Sequence, residues 1–203
     1  MRSARTLGRS IPGGKSGRRG KSALPRLWLV TDPARLADPL EAASRLPRGA
    51  GVIYRAFGAA DALNTARALR TLTRRRCLTL LIGADEALAA ASDADGVHLP
   101  ERLTARARPI RARHPRWIVT CAAHSRLALR RAQAAGCDAA LLSPAFPSRS
   151  ASAGRPLGQV RFAGLARLSA IPVIALGGVG NETAPGLVRA GAYGLAAVEA
   201  LNA

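Results

Sequence analysis

Lysine, cysteine and aromatic residues are all scarce in this chain of 203 residues. The first two shortages argue against particular classes of protein, and the third indicates what the core is made of. The only lysines, Lys15 and Lys21, precede the apolar part of the chain, which disfavours aldolases that form a Schiff base on lysine. The three cysteines, Cys77, Cys121 and Cys137, are odd in number and form no Cys-x-x-Cys motif, which argues against a disulfide framework and for a reducing, cytoplasmic setting. Aromatic residues make up 3% of the sequence against 48% hydrophobic residues, so we expect an aliphatic core.

Long hydrophobic runs are also missing. The longest uncharged stretch of the apolar C-terminal part, residues 168–181, contains proline and glycine. It is shorter than the roughly 20 residues that a membrane-spanning helix needs. We therefore predict no membrane partner.

The formal net charge is +19, and it is distributed unevenly. Residues 1–24 hold seven basic residues and no acidic one, and the remainder carries 24 basic minus 12 acidic residues, or +12. We interpret residues 1–24 as a disordered basic tail, because they lack periodic apolar residues; a transit peptide is a weaker alternative. No zinc-finger, RNP-like or helix-turn-helix pattern accompanies the charge, so we predict no nucleic-acid partner and keep nucleic-acid binding as the weakest alternative.

From residue 25 onward, short apolar strands alternate with helices, one of which is predicted to run to Ala134 with Ser125 as its N-cap. Eight strands are predicted, at residues 27–31, 51–55, 77–82, 96–99, 117–121, 138–143, 171–179 and 191–198. This alternation predicts a parallel (β/α)8 barrel, or TIM barrel, over residues 25–203, with a doubly wound open sheet as the alternative. Only about five residues follow the last strand, so we expect a truncated last helix and a homo-oligomer that covers the outer face there.

The seventh predicted strand ends in a glycine pair, Gly177 and Gly178. Glycines after a buried strand allow a bound group close to the backbone, and the N–H groups of a helix that begins there favour an anion. In (β/α)8 barrels, a phosphate often binds in the loops after strands seven and eight. The pair therefore predicts a phosphorylated small-molecule ligand.

Five short motifs occur in order along the predicted barrel. They are Ala-Asp-Gly-Val-His-Leu at 94–99, Ala-His-Ser at 123–125, Gly-Cys-Asp-Ala-Ala-Leu-Leu-Ser-Pro-Ala-Phe-Pro-Ser at 136–148, Pro-Val-Ile-Ala-Leu-Gly-Gly at 172–178 and Ala-Gly-Ala-Tyr-Gly at 190–194. Their sequence and spacing resemble the thiamine-phosphate synthase/TenI family, over roughly residues 26–201. The resemblance implies a (β/α)8 barrel, phosphate binding by the loops after strands six to eight, and a place in thiamin biosynthesis.

The residues that synthases of this family use for pyrophosphate and magnesium are largely replaced. Of the pattern Gln-x-Arg-x-Lys after strand two, only Arg55 remains. The Asn-Asp pair after strand three has become Gly83 and Ala84, with Asp85 one position late, and the strand-four carboxylate is missing, with Glu101 as the conceivable substitute. Displacing pyrophosphate normally requires Mg2+ held by carboxylates. We therefore predict no cofactor, and Mg2+ at Asp85 and Glu101 only if the synthase site has shifted.

The tautomerase branch of the family needs no metal and keeps a histidine after strand five, here His124. Moving a proton across a thiazole ring requires a general acid or base, and histidine suits that role. We predict His124 as the catalytic residue, with loop ordering or helix capping as its alternative role. His98 is expected to be packed or hydrogen-bonded at the barrel mouth, and His114 to lie on the surface.

The resemblance also implies a set of ligand-binding residues. Ser148 and Ser150 match the hydroxyl positions that the family uses to hold thiazole phosphate, and Arg149 in the same loop adds charge. The predicted binding residues are Gly177, Gly178, Ser148, Ser150, Arg55 and Arg149. The main functional prediction is a tautomerase-like enzyme acting on a thiazole phosphate. The alternatives are a thiamine-phosphate synthase that joins thiazole phosphate to hydroxymethylpyrimidine diphosphate, and a barrel that binds a phosphorylated ligand without catalysis.

Overall fold

Eight parallel strands close on themselves to form a barrel. The computed structural model describes residues 24–148 and 154–198. The strands are β1 (Leu27–Val30), β2 (Gly51–Tyr54), β3 (Thr79–Gly83), β4 (Gly96–Leu99), β5 (Ile118–Ala123), β6 (Ala139–Leu142), β7 (Val173–Leu176) and β8 (Gly194–Ala197). They pair in chain order, and β8 pairs in parallel with β1. The predicted (β/α)8 barrel is confirmed, and the open-sheet alternative is wrong because the sheet has no free edge.

One helical connection follows each of the first seven strands. The helices are α1 (Pro39–Ser44), α2 (Ala62–Arg76), α3 (Glu86–Ala91), α4 (Ala107–Arg113), α5 (Arg126–Ala134), α6 (Gly158–Arg167) and α7 (Ala184–Arg189). A 3₁₀ segment, Glu101–Arg106, leads directly into α4. Within the described ranges, no helix is long and apolar enough to cross a bilayer. The predicted tail, apart from Leu24, and the residues after Val198 lie outside those ranges, and the homo-oligomer stays a prediction.

Polar side chains fix where several of these helices begin. Asp38 accepts hydrogen bonds from two backbone N–H groups of α1, at 2.8 and 3.1 Å. Asp85 accepts one from the Leu88 N–H at 2.8 Å, and Ser125 accepts one from the Ala128 N–H at 3.1 Å. Such N-caps satisfy donors that the helix cannot pair internally, and each is typically worth about 1 kcal/mol. The capping role predicted for Ser125 is confirmed.

Alternate strand residues fill the barrel lumen. These are Trp28, Val30, Ile53, Leu81, Ile118, Ala139, Leu141, Ile174, Ala196 and Val198. The expected aliphatic core is therefore correct except at three described positions, because Trp28 and Phe162 are fully buried and Tyr54 is 6% exposed. Trp28 donates its indole N–H to the Pro25 carbonyl at 2.8 Å. It fits only because Gly51 stands opposite, where a Cβ atom would lie 2.3 Å from the indole ring.

At the amino ends of the strands, two aspartates connect strands to helices in the same way. Asp95 accepts a backbone N–H of β3 at 2.8 Å and pairs with Arg70 of α2 at 2.9 Å. Asp138 accepts a backbone N–H of β5 at 2.9 Å and pairs with Arg111 of α4 at 2.6 Å. The helix layer is thus connected to the barrel by charged hydrogen bonds at the end opposite the candidate site.

The start of the described chain is tied to the end of the barrel. The Tyr193 hydroxyl donates to the Leu24 carbonyl at 2.9 Å, and the Arg26 guanidinium lies 4.6 Å from the centre of the Tyr193 ring. Leu24 is the last residue of the predicted tail, and this hydrogen bond places it in contact with the barrel. The predicted division of the chain at residue 25 stays a prediction.

Candidate active site

A cavity of about 1390 Å³ opens at the carboxyl ends of the strands. Every strand end contributes to its wall, which is where enzymes of this architecture hold their active sites. The predicted site residues that line it are Arg55, Asp85, His124, Ser148, Gly177 and Gly178. The structure thus brings most of the predicted set together. Arg149 and Ser150 lie outside the described residues and stay predictions.

The glycine pair has a backbone shape and a packing that other residues would not fit. The φ angles are +92° at Gly177 and +62° at Gly178, in the region that disfavours side chains. A Cβ atom on Gly177 would lie 3.0 Å from Pro144, and one on Gly178 would lie 2.6 Å from the Phe146 Cβ. The Phe146 N–H also donates to the Gly177 carbonyl at 3.0 Å. The pair therefore supports the loop after β6, which carries Ser148.

The prediction that a helix begins at the glycine pair is wrong. α7 begins at Ala184, so five residues separate it from Gly178. The Thr183 hydroxyl folds this interval, because it accepts the Gly180 N–H and donates to the Gly178 carbonyl, both at 2.9 Å. The N–H groups of Gly177 and Gly178 donate to no other residue that the structure describes. Any anion bound here would contact these loop N–H groups rather than a helix N-terminus.

His124 follows β5 and is held on two sides. Its backbone N–H donates to Glu101 Oε2 at 3.0 Å, and its ring Nδ1 lies 2.8 Å from the Ser143 carbonyl oxygen. Because a carbonyl oxygen only accepts, this contact assigns a proton to Nδ1 and leaves a lone pair on Nε2 of the neutral ring. The ring lines the cavity, so it can supply a general base there.

His98 lies at the cavity floor in a different environment. The side chain is 9% exposed, and its Nδ1 lies 2.9 Å from the Thr120 hydroxyl, with which it pairs across β4 and β5. Burial, aided by the positive charge of Arg55, lowers the pKa of His98 to about 3. The ring is therefore neutral near pH 7. His98 is packed and hydrogen-bonded, as the sequence predicts.

Arg55 is anchored at the end of β2. Its Nε donates to the Thr31 carbonyl at 2.6 Å, and its Nη2 contacts Asp32 at 3.2 Å. Burial lowers the pKa of the guanidinium, although Asp32 partly offsets this. Asp32 also pairs with Arg35 at 2.7 Å, and these hydrogen bonds outweigh burial, so its pKa lies below the ordinary value. Asp32 and Arg35 are not among the predicted site residues, although their position after the first strand was a signal for them.

Another part of the cavity wall contains Glu86 and the cations around it. Arg113 donates to both Glu86 oxygens at 2.8 Å, Arg106 lies 3.5 Å away and His114 Nε2 lies 3.3 Å away. The hydrogen bonds from Arg113, together with the nearby charges, outweigh burial and lower the pKa of Glu86. His114 stacks on Trp117 with ring centres 3.6 Å apart. The prediction that His114 is a surface residue is wrong, because the ring is half-buried and lines the cavity.

The two carboxylates that the sequence offers for a shifted magnesium site are both engaged in hydrogen bonds. Asp85 lines the cavity but caps α3, and Glu101 accepts the His124 N–H. Within residues 24–148 and 154–198, no group of three or more His, Cys, Asp or Glu side chains could hold a metal. The described residues therefore form no site of three or more such ligands, and Mg2+ at Asp85 and Glu101 stays a prediction.

A family model and curated relatives similar in sequence point to the same family. A family model described as thiamine monophosphate synthase (TMP-TENI) matches residues 27–201. A thiamine-phosphate synthase from Methylobacillus flagellatus is 37% identical over 179 residues, which cover 84% of this chain and 82% of that protein. Another, from Alcanivorax borkumensis, is 33% identical over 183 residues, which cover 86% and 84%.

Solved structures support the same architecture. The structure of a thiamine phosphate pyrophosphorylase from Pyrococcus furiosus matches with a TM-score of 0.77 and covers 89% of this chain and 88% of that one. The two sequences are 23% identical, so this likeness shows the fold alone.

Proposed function

This chain belongs to the thiamine monophosphate synthase (TMP-TENI) family, and from that premise we propose that it is an enzyme of thiamin biosynthesis that binds a thiazole phosphate. The reaction that the site geometry supports best is transfer of a proton between positions of the thiazole ring. The observation that carries this proposal is the ring of His124, whose Nδ1 is held by the Ser143 carbonyl while its Nε2 is left as a base in the cavity.

The proton step needs only this histidine. Nε2 of His124 takes a proton from one position of the ring system, and the electron pair of the broken bond moves into the heterocycle. The imidazolium that forms keeps its Nδ1–H donated to the Ser143 carbonyl, which stabilises the positive charge. Return of the Nε2 proton to a second position of the ring completes the isomerisation. No electrons are gained or lost, and no metal takes part.

Charge and backbone donors in the cavity support binding of a phosphate without a metal. Among the described residues, five arginines line the wall, Arg35, Arg55, Arg102, Arg106 and Arg113, against two carboxylates, Asp85 and Glu86. The N–H groups of the glycine pair, which donate to no other described residue, lie on the β6–β7 side of the same cavity, and the Ser148 side chain lines that side too. We propose that the phosphate binds on that side, because N–H donors aimed at a cavity form a typical anion site.

A second candidate reaction is the coupling of thiazole phosphate to hydroxymethylpyrimidine diphosphate. The names of the relatives favour this synthase reaction over isomerisation, because both are called thiamine-phosphate synthases and align over more than four fifths of each chain. The cavity also exceeds the typical range of roughly 300–1000 Å³ for a small-molecule site, so it has room for two substrates. Against this reaction stands the donor set of the described residues, in which no three or more His, Cys, Asp or Glu side chains are grouped to hold a metal.

A two-arm assay separates the candidates. In the first arm, thiazole phosphate is incubated in D2O with EDTA, and exchange of ring protons is followed by 1H NMR. In the second, thiazole phosphate and pyrimidine diphosphate are incubated with and without Mg2+, and thiamine phosphate is measured. Exchange in EDTA supports proton transfer, and Mg2+-dependent thiamine phosphate without exchange supports the synthase. Tight binding without turnover in either arm would support the non-catalytic alternative.

A further inference from the structure

One aromatic side chain at the cavity mouth is exposed where folding alone would not place it. Among the described residues, four large hydrophobic side chains are exposed: Phe57, Leu127, Val160 and Leu168. Only Phe57 belongs to the cavity wall, and 69% of its surface is accessible. An exposed phenyl ring gives up the stabilisation that burial would provide. Packing in the hydrophobic core therefore does not explain the location of Phe57.

The backbone conformation of Phe57 is independent evidence that this residue has a role other than stabilising the fold. Its φ angle is +49°, a left-handed conformation that is uncommon for residues other than Gly, Asn and Asp and unfavourable for a bulky side chain. The next residue, Gly58, also has a positive φ, and a Cβ atom there would meet nothing within 4 Å. Strained non-glycine residues of this kind concentrate at ligand-binding sites. A phenyl ring at this position costs stability twice, through exposure and through strain.

The ring is oriented by a fixed cation. The Arg55 guanidinium lies 5.0 Å from the centre of the Phe57 ring, within the range of a cation–π contact. Arg55 cannot swing away freely, because its Nε bonds the Thr31 carbonyl and its Nη2 contacts Asp32. The phenyl ring is thus held against a charged neighbour while most of its surface stays accessible.

We propose that Phe57 is a stacking subsite for a planar ring on the β2 side of the cavity, beside Arg55, and determines preference for aromatic over aliphatic phosphates there. An oriented phenyl face in a cavity favours a planar ring in offset or edge-to-face contact, and such stacking is worth roughly tenfold in affinity. This subsite lies across the barrel from the phosphate position proposed at the glycine pair, because the strands pair in chain order. The preference for an aromatic ring follows from Phe57 itself and does not depend on the proposed function.

The test uses two probes with the same anionic group, phenyl phosphate and ethyl phosphate. Dissociation constants are measured by calorimetry for the full-length chain and for Phe57→Ala, Phe57→Tyr and Leu168→Ala. Leu168 is a matched control, because it is exposed but outside the cavity wall. We expect the full-length chain to bind phenyl phosphate about tenfold more tightly than ethyl phosphate, and Phe57→Ala to remove that ratio. Phe57→Tyr and Leu168→Ala should keep it.

Two results would overturn the proposal: an unmodified chain without preference for phenyl phosphate, and a Phe57→Ala variant that keeps the preference. If that variant keeps the ratio but binds both probes more weakly, Phe57 acts through Arg55. If it keeps the ratio and the chain changes to a lower oligomeric state, the ring is a contact between subunits. Failure of thiazole phosphate to bind, with the phenyl preference intact, would overturn the proposed function and leave the stacking subsite standing.

Discussion

Replacement of Gly178 by alanine should cost more stability than replacement of any solvent-facing glycine. The new Cβ atom would adopt a φ of +62°, which costs an L-residue roughly 1–2 kcal/mol. It would also lie 2.6 Å from both the Phe146 Cβ and the Pro147 carbonyl oxygen, and such overpacking adds about 1–3 kcal/mol. We therefore expect Gly178→Ala to lower the free energy of unfolding by about 2–5 kcal/mol.

Two other glycines separate the contributions of strain and clash. Gly49 has a φ of +81° but open space for a Cβ atom, so Gly49→Ala should cost about 1 kcal/mol from strain alone. Gly180 has neither a positive φ nor a neighbour within 4 Å, so Gly180→Ala should be neutral or stabilise by about 0.5 kcal/mol. Urea denaturation of the three variants provides the measurement. Equal losses for Gly178→Ala and Gly49→Ala would refute the packing of the glycine pair against the β6 loop.

Further predictions concern the pH dependence of stability and the arginine–aspartate ion pairs outside the candidate site. The pKa of His98 is lowered from 6.5 to about 3, so the unfolded chain binds its proton first as the pH falls. The contribution of His98 to the free energy of unfolding should therefore be complete above pH 6.5 and decrease by about 1.4 kcal/mol per pH unit between pH 6.5 and pH 3. Urea titrations of His98→Gln should lack this pH-dependent decrease. Arg111→Ala should cost about 1–3 kcal/mol in thermal unfolding, because it removes the charged hydrogen bond to the half-buried Asp138 carboxylate. Arg74→Ala is the control and should change stability by less than about 0.5 kcal/mol, because its pair with Asp93 is exposed.

The fold was predictable because its strands carry a strong local signal. A parallel barrel buries both faces of every strand, so continuous apolar runs such as Thr79–Gly83 mark strand positions directly. Helix starts were predictable where a capping side chain is present, as at Ser125. The start of α7 was not predictable, because the Thr183 side chain does not cap this helix. The Thr183 hydroxyl instead closes the preceding turn.

The candidate site was predictable in part, for physical reasons that differ from residue to residue. Gly177 and His124 were found because both follow predicted strands. His114 was misplaced, because its contacts with Glu86 and Trp117 depend on how α4 packs beside α3. Phe57 was missed as a candidate, because neither its positive φ nor its exposure in the cavity has a signature in the sequence. Long-range packing decides such features, and local patterns do not contain them.

Metal-free proton exchange by the His124→Gln variant is the decisive test of the proposed proton transfer. The unmodified chain and the variant are each incubated with thiazole phosphate and EDTA in D2O, and deuterium incorporation into the ring is followed by 1H NMR. General base catalysis typically contributes 10² to 10⁴-fold, so we expect measurable exchange by the unmodified chain and a loss of roughly that size in the variant, with binding of thiazole phosphate retained. Exchange at the same rate in His124→Gln, or exchange that disappears when EDTA is added, would refute the proposed role of His124.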